Sequence, residues 1–131
     1  MKKIVAGVDE VGRGSLIGPV FAASVIFKKK LDKKKIKDSK KLSKKKRNNL
    51  EIYIKKNSLW GIGSASIKEI EKLNILNASL LAMKRSIKKL KSKPTLVLID
   101  GNKLPKISGY NLKSVIKGDQ KISEISAASI I

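Results

Sequence analysis

The stretch Ile4–Gly14, IVAGVDEVGRG, sets a short apolar run against two adjacent acids and an arginine held between glycines. Ile4 to Val8 reads as a buried strand, and Asp9 and Glu10 close it. In an open α/β sheet, sites are built at the carboxyl ends of parallel strands, so an acid pair there is placed for chemistry. Gly12-Arg13-Gly14 follows at once. Two glycines let a backbone approach a ligand closely, and the arginine between them can donate to phosphate or sugar oxygens. Alone, such a loop is usually a simple turn; beside an acid pair it reads as a grip on a sugar–phosphate backbone.

Outward from this stretch, strand and helix patterns alternate. Pro19 to Phe27 is rich in Val, Ala and Phe and predicts a second strand. Lys28 to Lys41 is a lysine-rich connection expected to be solvated. Ser43 predicts a helix N-cap, with a helix through about Lys56 carrying Leu50, Tyr53 and Ile54. Ser58 to Ser66 reads as a third strand. Leu73, Leu76, Leu80, Met83, Ile87 and Leu90 then form a continuous apolar stripe, the mark of a helix packed on a sheet. Pro94 ends that zone. Thr95 to Ile99 and Leu112 to Ile116 predict two more strands, and Ile122 to Ile131 the start of a final helix. The pattern predicts one α/β domain over residues 1–131, a mixed sheet with helices packed on it.

The chain has only 10 acids against 31 Lys and Arg, so acid placement is informative. Asp100 closes the strand Thr95–Ile99, and Asp119 follows Gly118 just past the fifth strand. If the first, fourth and fifth strands run parallel and adjacent, Asp9, Glu10, Asp100 and Asp119 converge on one edge. Such a cluster repels itself, and divalent cations with a taste for hard oxygen, Mg²⁺ or Mn²⁺, relieve it. Asp38-Ser39-Lys40-Lys41-Leu42 reads either as a turn before a helix or as hydroxyl and ammonium donors facing phosphates.

Composition narrows the chemistry further. With no Cys and no His, disulfides, thiol nucleophiles, imidazole bases and Ser–His triads are excluded; hydrolysis must rely on carboxylates, lysine or metal-bound water. The net charge of +21 points to a polyanionic partner. All but three of the basic residues are lysine, however, and isoleucine is abundant, which an AT-rich coding sequence would also produce. A basic ribosome-associated protein would share the charge but not the grouping of acids. The longest apolar run, Val20 to Phe27, is too short to span a bilayer, and Asp9 and Glu10 interrupt any leader-like segment. A soluble, cytoplasmic protein is expected.

The string AGVDEVGRG (Ala6–Gly14) resembles the opening signature of type 2 ribonuclease H, the ribonuclease HII family. DSKKLS (Asp38–Ser43), EIEKLNIL (Glu69–Leu76), LIDGN (Leu98–Asn102) and KGDQKISEISAASI (Lys117–Ile130) resemble its later blocks in the same order, over essentially the whole chain. The resemblance implies a ribonuclease H-like fold, a five-stranded mixed sheet flanked by helices. It implies an endonuclease that hydrolyses the RNA strand of RNA–DNA hybrids and removes ribonucleotides from duplex DNA, leaving a 5′-phosphate and a 3′-hydroxyl. The family's catalytic and metal-holding carboxylates match Asp9, Glu10, Asp100 and Asp119. Two Mn²⁺ or Mg²⁺ ions about 4 Å apart would activate a water and stabilise the leaving 3′-oxygen. Its glycine–arginine–glycine motif, which senses the ribose 2′-hydroxyl, falls on Gly12, Arg13 and Gly14; its phosphate-binding lysine falls on Lys40, beside Ser39. The implied partners are RNA–DNA hybrid and DNA duplex containing ribonucleotides, met by a monomer. The family's pattern continues into further helices bearing a tyrosine that stacks on the DNA, and neither Tyr53 nor Tyr110 stands in that context. The alternative expectation is therefore a truncated, weakly active or inactive basic nucleic-acid-binding remnant.

Overall fold

The computed structural model describes residues 3–11, 18–29, 36 and 41–131. Five strands form one sheet: β1 (Val5–Val11), β2 (Val20–Phe27), β3 (Ser58–Ala65), β4 (Leu96–Asp100) and β5 (Leu112–Val115). Their order is β3-β2-β1-β4-β5. The hairpin-like half, β3-β2-β1, is antiparallel, whereas β1-β4-β5 is parallel. The expected mixed sheet is therefore present, with β1, β4 and β5 parallel and adjacent. Helices α1 (Lys44–Lys56), α2 (Ile67–Lys88), α3 (Gly118–Lys121) and α4 (Ser123–Ile130) complete the described elements.

Because side chains alternate across a strand, β1 and β2 each feed two cores. Ala6 and Val8 of β1 and Ala22 and Ile26 of β2 pack with Ala78, Ala82, Met83 and Ile87 of α2. Ala23 and Val25 turn to the other face and pack with Leu50 and Ile54 of α1 and Ala127 and Ala128 of α4. The largest fully buried side chains, such as Val8, Ile54 and Ile99, are each worth roughly 1.5–3 kcal/mol by burial. On the α2 face the packing is close: a Cβ on Gly63 would run into the Ala82 carbonyl and the Ser86 amide. Ser24 of β2 meets Ser86 of α2 there at 2.6 Å, Oγ to Oγ, and Ser86 also donates to the Met83 carbonyl at 2.7 Å.

Three expectations need correction. The first strand runs on to Val11, because Asp9, Glu10 and Val11 pair with Ala23, Ala22 and Phe21 of β2; the acids lie within the strand. The apolar stripe of α2 is not continuous. Asn74 has φ 73° and ψ 167°, which breaks the helix, and its side-chain Oδ1 accepts from the Asn77 amide to cap the second segment. Leu76 is consequently 49% exposed, and the buried face is instead Ala78, Ser79, Ala82, Met83, Ser86 and Ile87. Finally, the lysine-rich connection is not solvated throughout: Ile36 is fully buried in the α1–α4 core, where its carbonyl accepts from Ser126 Oγ at 3.2 Å.

Candidate active site

The register that pairs Val8 with Ile99 sets Asp9 beside Asp100 one residue further along the parallel strands. Both are out of step with Val8 and Ile99, which face α2, so both turn toward α1 and α4. Gly7 makes room for this arrangement. A Cβ there would run into the backbone of Glu124 and Ile125, so α4 can lie directly on β1 beneath Asp9. Asp119 arrives from α3. Lys117 adopts a left-handed backbone (φ 55°) that turns the chain at the end of β5, and the Gly118 amide donates to Asp100 Oδ1 at 2.6 Å. One hydrogen bond thus fixes the Asp100 carboxylate and ties α3 to β4.

Asp9, Glu10, Asp100 and Asp119 line one cavity of about 540 Å³. The Asp9 carboxyl is pushed up to about 8, first by burial and then by the charge of Asp100; Asp119 adds to the rise. The Glu10 amide, donating to Asp9 Oδ1 at 2.8 Å, pulls the other way but loses. Asp9 and Asp100 stand within hydrogen-bonding reach of each other. Among the described residues no three carboxylates are drawn close enough to hold one ion between them as they stand. The donor set itself, oxygen anions without sulfur or nitrogen, fits a hard divalent cation and would close on one that cancels the repulsion.

A family model for Ribonuclease HII matches residues 6–131 of the sequence. The chain belongs to the ribonuclease HII family. One relative, the Ribonuclease HII of Pelagibacter ubique, is 73% identical over 129 residues, which cover 98% of this chain and 69% of that one. Among solved structures, ribonuclease H2 from Pyrococcus horikoshii matches with a TM-score of 0.81 and 24% identity, covering 97% of this chain and 69% of its own. Bst-RNase HIII, solved in complex with Mn²⁺, matches with a TM-score of 0.77 and 20% identity, covering 98% and 50%. At those identities the two structures establish a shared fold, the ribonuclease H-like sheet.

Of the site residues read from the sequence, the four carboxylates come together, whereas Gly12, Arg13, Gly14, Ser39 and Lys40 lie outside the described residues. The cavity also has walls that the sequence reading missed. Lys44, Arg47, Asn48 and Glu51 of α1 face it, with Ser129 and Ile130 of α4. The signal was present: positions 44, 47, 48 and 51 are spaced i, i+3, i+4, i+7, a polar stripe beside the buried Leu50 and Ile54. It was hidden because α1 is polar nearly all round, so no stripe stood out. No described helix is long and apolar enough to cross a membrane.

Proposed function

We propose that this ribonuclease HII-family chain is an endonuclease that hydrolyses the RNA strand of RNA–DNA hybrids, including ribonucleotides set in duplex DNA, with Asp9, Glu10, Asp100 and Asp119 as its catalytic, metal-holding carboxylates. Family membership supports the activity; the observation that supports the residues is the convergence of all four acids on one cavity. Bound Mg²⁺ or Mn²⁺ would neutralise the acid cluster and supply Lewis acidity toward the attacking water and the leaving 3′-oxygen.

The chain's own residues set the conditions for that chemistry. The Gly118 amide, donating to Asp100 Oδ1, holds the Asp100 carboxylate in one orientation at the cavity wall. Asp9 is half-buried, and its tendency to keep a proton when no cation is present makes metal affinity proton-coupled: loading should release a proton. Gly12, Arg13 and Gly14 are proposed to approach the ribose 2′-hydroxyl, and Ser39 and Lys40 a phosphate. This recognition separates RNA from DNA without reading base sequence.

Cleavage of a hybrid duplex should require Mg²⁺ or Mn²⁺ and yield 5′-phosphate ends, while an all-DNA duplex stays intact. Activity that persists in excess chelator would overturn the metal reading. Gly14→Val should remove hybrid cleavage and spare salt-sensitive binding to plain DNA duplex; equal loss of both would mean misfolding, and undiminished cleavage would take the loop out of the mechanism.

A further inference from the structure

Across the cavity from the acids, α1 turns Lys44, Arg47 and Asn48 toward the same space, all three exposed. Two cations and an amide donor form one helical stripe, facing four groups that can bear negative charge. If the stripe served to neutralise the acids, ion pairs would join the two walls. The described pairs are Lys55–Glu51 on the helix itself and Arg85–Glu69 on the far side of the sheet, and neither Lys44 nor Arg47 takes part in one. Their donors therefore remain available to a ligand. Asn48 can donate without adding charge, and Glu51 is drawn toward Lys55 at 2.9 Å, so its carboxylate is partly neutralised at that end of the stripe. One wall thus suits cations and the other suits phosphate, and a sugar–phosphate chain running between them would meet both.

We infer that Arg47 is a positioning residue that grips a phosphate adjacent to the scissile one on the strand being cut, with Lys44 and Asn48 at its sides. The inference rests on the nuclease reading above and adds a contact made by α1. The guanidinium fork matches phosphate oxygens in a way a lysine does not, so Arg47 is the member of the stripe that sets register, and Lys44 supplies charge. Because the gripped phosphate does not react, the contact is made equally in ground and transition states and belongs in KM.

The test uses the intact chain and a hybrid duplex in which one uncharged methylphosphonate linkage is moved, duplex by duplex, along the RNA strand. Arg47→Ala should raise KM roughly ten- to a hundredfold, the worth of one charge-assisted contact, with kcat within about twofold. Arg47→Lys should fall between the two. At one position near the cut, the neutral linkage should cost the wild type its affinity and cost Arg47→Ala nothing more. A control, Lys88→Ala on the other face of the sheet, should show no such position. The same scan read as binding in chelator tests the contact independently of cleavage, so a chain that binds position-specifically but cuts nothing would overturn the nuclease reading and leave the phosphate contact standing. Losses that add at every position, or a fall in kcat with KM unmoved, would overturn the role given to Arg47.

Discussion

The two faces of the sheet are made by the same strands under the same alternation, yet they are built for opposite ends. Toward α2, β1 and β2 send Ala6, Val8, Ala22 and Ile26 into a core closed by small residues, where the contact of Ser24 with Ser86 is fully internal. Toward α1 and α4, β1 sends Gly7 and then Asp9, and the apolar packing gives way at the strand's end to a cavity lined with acids. The first face holds its partners by complementarity. The second holds Asp9 and Asp100 together against their repulsion, which only a fold stabilised elsewhere can sustain. Substitutions should therefore separate activity from stability according to face.

The largest expected effect is on the cavity face. Asp9→Asn keeps the shape, removes a half-buried carboxylate, and should lower hybrid cleavage by at least about a hundredfold, as loss of a preorganised electrostatic group does. Its stability should move the opposite way. In chelator the folded chain keeps the Asp9 proton up to about 8, whereas the unfolded chain releases it near 3.8. The folded state binds more protons between those values, so this contribution is complete below about pH 4 and drains as pH rises through about 8. Urea midpoints measured in chelator should fall from pH 5 to pH 9 in the wild type and fall less in Asp9→Asn. A variant that loses stability at pH 9 would break the contrast between the faces.

On the dry face the order reverses. Gly63→Ala forces the α2 backbone away from β3 and should cost about 1–3 kcal/mol, by the general scale of overpacking, while kcat per folded molecule is unchanged. Denaturation and an active-site titration on the same preparation would check both halves. Equal or smaller effects come from the serine pair. Since Ser86 donates to the Met83 carbonyl, Ser24 must be the donor between the two hydroxyls. Ser86→Ala strands the buried Ser24 hydroxyl and should cost roughly 1–3 kcal/mol; Ser24→Ala leaves Ser86 satisfied and should cost about 1 kcal/mol. Equal losses would mean that the proton lies the other way.

The same contrast explains what the sequence disclosed. Strands and acids were legible because apolar runs ending in Asp or Glu carry a periodic signal and a rare residue type together. The parallel neighbours β1 and β4, which make Asp9 and Asp100 adjacent, were expected only conditionally, since register depends on partners distant in the chain. The break at Asn74 was invisible because Leu73 and Leu76 keep helical spacing on either side of it; spacing records position, not backbone angle. The α1 wall was missed for a different reason. Lys44, Arg47 and Asn48 sit in a run of polar residues, and only the placement of α1 over the β1 end distinguishes those that face the acids from those that face solvent.

The smallest effect tests whether the dry face depends on its surface ties. Glu69 closes a capping box with Ser66 at the start of α2, its carboxylate accepting from the Ser66 amide at 3.0 Å while the Ser66 hydroxyl accepts from the Glu69 amide at 3.2 Å. It also meets Arg85 through two hydrogen bonds of 2.7 and 2.6 Å, and Arg85 reaches on to the Ser64 carbonyl. The two side chains together therefore join the end of β3, the start of α2 and its last turn, spanning the break at Asn74. The Arg85 guanidinium and the Ser66 amide hold the Glu69 carboxyl down at about 2, so its contribution is present above the ordinary value of 4.5 and lost as pH falls through about 2. Because the pair lies at the surface, screening limits its worth, and Glu69→Gln, which keeps a hydrogen-bonding oxygen, should lower the thermal midpoint only slightly, with the difference shrinking in high salt. Hydrogen exchange should register the change more sharply than the midpoint does, as faster exchange confined to Ile67–Leu73 with the segment after Asn77 unaffected. Exchange that accelerates through Ser86 would show that the two segments of α2 fold as one unit, and that the surface tie, rather than the packing beneath it, holds the dry face together.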